Sequence, residues 1–347
     1  MNAKFENAFI LSGGGTRLMI YLGMYAALEK LHLKPNVIIG TCGGAIAATV
    51  INAFPDTASQ KEYLKSKEYF KFITKQRLTK EKKLFKIGLL SLQKIVDKRN
   101  APFIEDVFNR FLAEMPQDLS TDLTTLEGIK FSNKIPTLIL GSQIIFSPKE
   151  VKQKRNNRKL YQKVIFTDPE TAKSIDIKEI VVSSANYKNS AVAEMPKIIT
   201  NKTMLSTARI SISDMFYVAP VYSEGNYFAG GAIDLIPIEL AKHIANAVII
   251  ENKQIYSTIE EALVRAVLGY SGNQRLTEIE KFTPNYQIDT RNIKKELEGH
   301  YIKKKIHWKK QEICFEYPKN YQQFREDMDK QWEYGFQQTI KSIQKKK

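Results

Sequence analysis

Val37-Ile38-Ile39-Gly40-Thr41-Cys42-Gly43-Gly44-Ala45 decides the reading of this chain. An apolar, β-branched run predicts a buried strand, the glycines pinch the backbone, and a second apolar run predicts a helix. The stretch reads as a nucleophile elbow, where glycine takes backbone angles denied to other residues and the central side chain is lifted above the helix N-terminus. Gly40 and Gly44 are the elbow glycines, and Cys42 stands where such a turn ordinarily carries serine.

Upstream, Asn7 to Ser12 predicts a short buried strand that runs into Gly13-Gly14-Gly15. Leu18, Leu22, Tyr25 and Leu28 then recur at three- and four-residue spacing, as one buried helix face requires, so a helix is expected over Arg17–Leu31. Pro35 marks the turn into the elbow strand. Strand, helix, strand, elbow and helix make a parallel α/β unit, which places its glycine loops at the carboxyl ends of the strands, where such sheets build their sites.

Downstream, residues 60–115 read as helices of mixed charge, Ala101 to Phe111 among them, forming a cap or flank. Strands are expected at Pro136–Gly141 and Lys163–Thr167, separated by a hairpin or exposed loop that carries a basic run. A second glycine-bearing loop, Tyr227 to Pro237, precedes a helix over Ile238–Ala245 and a strand at Ala247–Ile250. From Glu251 the pattern turns charged and largely helical. The expected organisation is therefore a catalytic-type α/β domain over 1–250 and a basic, mainly helical extension over 251–347. Within that extension Tyr321 to Ile343 is amphipathic; its acidic residues Glu326, Asp327 and Asp329 favour packing on the body over lying in a lipid interface.

Composition bounds the function. At 347 residues and 43% apolar content the chain can bury a large core. Its two cysteines, Cys42 and Cys314, have no metal-ligand spacing, which points away from a disulfide framework or zinc site and toward a reducing, cytoplasmic setting. The first residues lack the basic and apolar regions of a secretory leader. Val37 to Phe54 is uncharged, but three glycines, two threonines and Asn52 interrupt it, so it reads as buried strand plus buried helix and not as a membrane span. The formal net charge of +16 favours anionic partners. Much of it lies in Lys149 to Lys159, Lys303-Lys304-Lys305 and Lys345-Lys346-Lys347, which read as solvated surface. Nucleic acid is disfavoured, because no finger, helix-turn-helix or RNA-binding signature accompanies these runs; peripheral contact with an anionic membrane is consistent with them.

Three pieces in order, Ser12-Gly13-Gly14-Gly15-Thr16-Arg17, Gly40-Thr41-Cys42-Gly43-Gly44, and Ala229-Gly230-Gly231 before Pro237, resemble the patatin-like phospholipase family over roughly Phe9 to Ile250. The resemblance implies a patatin-like α/β fold, a mostly parallel sheet with helices on both faces, and a lipid or acyl thioester as partner. It implies that Gly13, Gly14 and Gly15 donate N–H groups as an oxyanion hole to an elbow nucleophile, which an aspartate opening the third motif activates. This chain departs from that pattern: Cys42 replaces the serine, Ala229 marks a degenerate dyad position, and Leu18 replaces a glycine. Asp234 reads as structural, His243 as a surface residue, and Arg17 as either a brace of the oxyanion loop or a surface ion-pair partner.

A cysteine thiol has a pKa of about 8.5, lowered at a helix N-terminus, so Cys42 is expected to supply thiolate with no aspartate beside it. Such a site would form a thioester yet lack a base for its hydrolysis, which favours transfer to another acceptor. The alternative is a catalytically inactive module that binds lipid or protein, with Cys42 as a small buried residue. No cofactor or metal is implied by the carboxylate and histidine spacing.

Overall fold

A computed structural model describes residues 4–15, 17–83, 94–95, 98–307 and 310–345. Strand β1 (Phe5–Leu11) runs into the glycine loop and helix α1 (Met19–Lys30); β2 (Val37–Thr41) runs into the elbow and α2 (Gly43–Ala53). After α3 (Thr57–Leu64) and α4 (Lys67–Thr74) come β3 (Thr137–Ile144), β4 (Tyr161–Phe166), β5 (Lys197–Ile199) and α5 (Met204–Ser211). A hairpin of β6 (Val221–Ser223) and β7 (Asn226–Ala229) leads to α6 (Ile238–Ile244) and β8 (Ala245–Asn252). The chain closes with α7 (Thr258–Leu268), α8 (Gly272–Glu280), β9 (Tyr286–Asp289), a two-stranded hairpin of β10 (Lys303–His307) and β11 (Glu312–Glu316), and α9 (Tyr321–Gln344).

The central nine-stranded sheet has the order β9-β8-β1-β2-β3-β4-β5. Pairing is parallel from β9 through β3, β4 reverses it, and β7 joins β3 antiparallel. Alternate residues of each central strand serve opposite cores. Phe9, Leu11, Ile38 and Ile139 pack with α1 and α2, whereas Ala8, Ile10, Val37, Ile39, Leu138 and Leu140 pack with α6 and α8. Burial on both faces explains why β2 is a continuous apolar run and not an alternating one.

One register detail positions the site. β2 covers the first half of one edge of β3, with Thr41 opposite Leu140, and β7 takes over the same edge with Ala229 opposite Ser142. The Ala229-Gly230-Gly231 loop is thereby set down just past the end of the elbow strand.

The strands expected up to Ile250 form, as do the helices after the glycine loop, the elbow and the second glycine loop. Of the helical reading of residues 60–115, α3 and α4 hold, but the described residues 75–83 and 98–115 contain no α-helix, so Ala101–Phe111 does not fold as one. Its backbone is tied elsewhere: the Ala101 N–H donates to Arg265 O and the Ile104 N–H to Gln153 O, while Ala101 sits at φ +44. Arg155, read as part of a solvated basic run, is buried and holds this loop, its Nε donating to Ala101 O at 2.7 Å and its terminal nitrogens to Asn100, Asn189 and Ser190 carbonyls. The parts of the helical reading on residues 84–93 and 96–97, and of the terminal basic run on 346–347, lie outside the described residues.

The described residues beyond 250 share the sheet and the core of the preceding part. β9 adds an edge strand, and α9 packs along α1 so closely that a Cβ on Gly335 would stand 2.1 Å from Ile20 O, and one on Gly23 2.0 Å from Trp332 O. Two glycines facing one another let these helices touch backbone to backbone. Asp329 of α9 pairs with Lys61 and Lys65 at 2.8 Å each. The amphipathic tail thus packs on the body, as its acidic residues led us to expect. Among the described residues no helix is long and apolar enough to cross a membrane.

Candidate active site

Cys42 lies between β2 and α2 at φ 48, ψ −127, a strained conformation for a residue with a side chain. Crowding below it explains the glycines. A Cβ on Gly44 would stand 1.9 Å from Leu11 O, and one on Gly40 2.9 Å from the Ala45 Cα. The strained peptide is held by a bond from Cys42 N–H to Ser211 Oγ at 2.9 Å, and Ser211 in turn donates to Leu140 O at 2.5 Å.

The thiol has an aspartate beside it. Cys42 Sγ donates to Asp214 Oδ1 at 3.2 Å, and the same oxygen accepts from Ala232 N–H at 3.1 Å. Asp214 sits three residues past the end of α5, which packs over the elbow and also delivers Ser211. Gly230 makes room for it, since a Cβ there would lie 2.1 Å from Asp214 Oδ1. The Gly-Gly of the third motif therefore cradles a carboxylate that comes from position 214, while Ala229, at the degenerate position, is fully buried in β7.

This corrects the expectation of a free thiolate. Burial, followed by the charge and hydrogen bond of Asp214, pushes the Cys42 thiol well above its ordinary value. Burial also pushes the Asp214 carboxyl up, to about 6, against the opposing effect of the thiol hydrogen bond. At neutral pH the pair rests as thiol and carboxylate, a proton donor in contact with a group able to take its proton.

The glycine loop packs against the elbow. Gly13 and Gly15 have φ of +72 and +60, and a Cβ on Gly13 would stand 2.9 Å from Cys42 Cβ. Arg17 braces the loop: its Nε donates to Gly14 O at 3.2 Å, its main-chain N–H to the same oxygen at 3.3 Å, and its guanidinium lies over Tyr301. Among the described residues nothing accepts a hydrogen bond from the Gly14 N–H. Leu18 is buried against Gly43, and Thr16 lies outside the described residues.

Asp234 has no part in this constellation. It binds Lys163 Nζ at 2.5 Å and Arg275 at 3.3 Å, and Arg275 also grips Glu239, so Asp234 anchors a buried ionic cluster, as its structural reading requires. His243 accepts from the Asp176 N–H at 3.0 Å. Sequence reasoning missed Asp214 and Ser211. The only local signal was a polar Ser-Ile-Ser-Asp turn ending an apolar helix. Among the described residues no group of three or more His, Cys, Asp or Glu side chains is placed to hold a metal ion.

A family model described as patatin-like phospholipase matches residues 9–242, more than half of the chain. Two solved structures are similar at low identity. One is VipD from Legionella pneumophila, at 10% identity and a TM-score of 0.39, covering 99% of this chain and 67% of its own. The other is the type III effector protein ExoU, at 12% identity and a TM-score of 0.30, covering 96% of this chain and 53% of its own. No curated protein matches.

Proposed function

We propose that this chain, which belongs to the patatin-like phospholipase family, is a lipid acyl hydrolase or acyltransferase in which Cys42 is the nucleophile and Asp214 the general base. The observation that carries the reading is the 3.2 Å contact between Cys42 Sγ and Asp214 Oδ1 on a strained elbow.

In the first step Sγ attacks the acyl carbonyl carbon as its proton passes to Asp214 Oδ1. The carbonyl oxygen becomes an oxyanion that accepts from the Gly14 N–H. Collapse breaks the bond to the leaving alcohol, and protonated Asp214 returns its proton to that oxygen, leaving a Cys42 thioester. An incoming water or acceptor hydroxyl then loses its proton to Asp214 as it attacks, the thioester C–S bond breaks, and the thiol is restored. Because a base is present, hydrolysis is open to the site as well as transfer.

The setting of Asp214 speaks against an inactive binding module. A half-buried carboxylate whose hydrogen bonds come from one main-chain N–H and the thiol is poorly compensated for its loss of water, and its contact with a strained cysteine is the arrangement that acyl transfer uses. The exposed Lys304 and Lys305 on the β10–β11 hairpin support a peripheral contact with anionic lipid. The reading is tested by fatty-acid release from phospholipid vesicles. The parent is expected to turn over, and Cys42→Ala to lose activity by at least about 10³-fold while remaining folded. Release by Cys42→Ala at the parent's rate would overturn the nucleophile assignment.

A further inference from the structure

We infer that Lys253 is a positioning residue for the oxyanion loop: its ammonium grips the Gly13 carbonyl, fixing the Gly13–Gly14 peptide with the Gly14 N–H turned to the acyl oxygen. The inference rests on the acyl-transfer reading above. Lys253 lies beyond the matched family region, on the turn after β8. Register delivers it. β8 runs parallel to β1 with Ile249 beside Phe9, so Glu251 falls beside Leu11 and Lys253 beside Gly13.

Lys253 Nζ donates to Gly13 O, to Ser12 O at 2.8 Å and to Tyr21 Oη at 3.0 Å, and pairs with Glu251 Oε2 at 3.1 Å. Tyr21 Oη also reaches Gly13 O, and stands 2.8 Å from Glu251 Oε2. Its single proton serves one of those acceptors at a time, whereas the ammonium carries three. Glu251 is buried and fixed on its other oxygen by Thr290 Oγ1 at 2.6 Å. The clamp therefore stands on a rigid strand.

A trans peptide points its N–H opposite to its carbonyl, and no cis peptide occurs among the described residues. With the Gly13 carbonyl held by Lys253 on the β8 side, the Gly14 N–H turns toward the elbow; Gly14 N lies 3.6 Å from where a Cβ on Gly43 would stand. A cation on the carbonyl also polarises the peptide and strengthens that N–H as a donor. Arg17 holds the next carbonyl, so successive peptides of the loop are tethered by a cation each.

The test compares two reactions of one thiol in a Cys314→Ser background, where Cys42 is the sole cysteine. Acylation by a p-nitrophenyl acyl ester generates an oxyanion; alkylation by iodoacetamide does not. Any change in thiol acidity moves both rates together, so their ratio isolates the loop. Lys253→Met is expected to lower the acylation-to-alkylation ratio at least about tenfold, toward the 10²–10³ that loss of an oxyanion donor costs. It is also expected to speed hydrogen exchange across residues 12–15. Tyr21→Phe, which keeps the Lys253–Glu251 pair, is expected to lower the ratio less. An unchanged ratio in folded Lys253→Met overturns the proposal. So does unchanged exchange, and that readout holds even if the parent is not acylated at all, an outcome that would refute the acyl-transfer reading separately. Should Lys253→Met fail to fold, Lys253→Gln takes its place, and an unchanged ratio with unchanged loop exchange in that variant overturns the proposal.

Discussion

Asp214→Asn distinguishes a base-assisted thiol from a free thiolate. Asparagine keeps an oxygen that can accept from Ala232 N–H and Cys42, so the geometry survives, but it takes no proton. With the thiol above its ordinary 9.0 and the carboxyl at about 6, spontaneous transfer between them favours the thiol by about 10³ or more. The thiolate therefore forms during attack, and loss of the base is expected to slow acylation about 10²–10⁴-fold at pH 7. The pH profile carries the same information. In the parent, acylation should rise with pH through about 6, as Asp214 ionises, and then level. In the variant that inflection should vanish, and the rate should climb only on the alkaline side, with the thiol. Stability should move the other way. The folded carboxyl titrates near 6 against an ordinary 3.8, so between those values the folded chain binds more protons than the unfolded chain and stability falls as pH rises. Removing the charge is worth at most about 3 kcal/mol above pH 6, and nothing near pH 3. The assay is stopped-flow acylation with an activated ester from pH 4.5 to 10, beside urea denaturation at pH 4 and 7. Undiminished or faster acylation by Asp214→Asn at pH 7 would show that the thiolate works unaided and refute this reasoning.

Gly335→Ala should destabilise the fold by about 1–3 kcal/mol through overpacking, since its methyl would meet the Ile20 carbonyl; a lower urea midpoint at unchanged slope is the expected signature. Asp234→Ala strips the shared partner from buried Lys163 and Arg275 and should cost about 3–5 kcal/mol in chemical denaturation. Although burial raises the Asp234 carboxyl, those two cations hold it below its ordinary 3.8, so its contribution is fully present above about pH 4 and is lost as pH falls through its folded value. Binding to anionic vesicles should weaken as salt shortens the Debye length below its physiological ~8 Å, and equal binding to neutral vesicles in a sedimentation assay would contradict it.

The local parts of the site were legible in the sequence. Glycine positions and apolar periodicity specify β1, the glycine loop, α1, β2 and the elbow because each depends on residues within one or two turns of chain. Asp214 was not legible, since its approach to Cys42 depends on α5 crossing the elbow and on β7 continuing the edge that β2 leaves. Neither carries a residue pattern of its own. Under the proposed reading the carboxylate missing at Ala229 is supplied from fifteen positions upstream, and Gly230 leaves the room that Asp214 occupies. Lys253 was hidden for another reason: in a chain with 53 Lys and Arg, one more lysine after a strand stands out only once the strand order is known. β9, four residues long, alternates over too short a span to be read as a strand.

Intact-protein mass spectrometry of the parent, Cys42→Ala and Asp214→Asn after brief exposure to a long-chain activated ester tests the central claim most directly. The account predicts one hydroxylamine-labile acyl adduct on the parent, none on Cys42→Ala, and slow accumulation on Asp214→Asn. An adduct that forms equally on Cys42→Ala would contradict it.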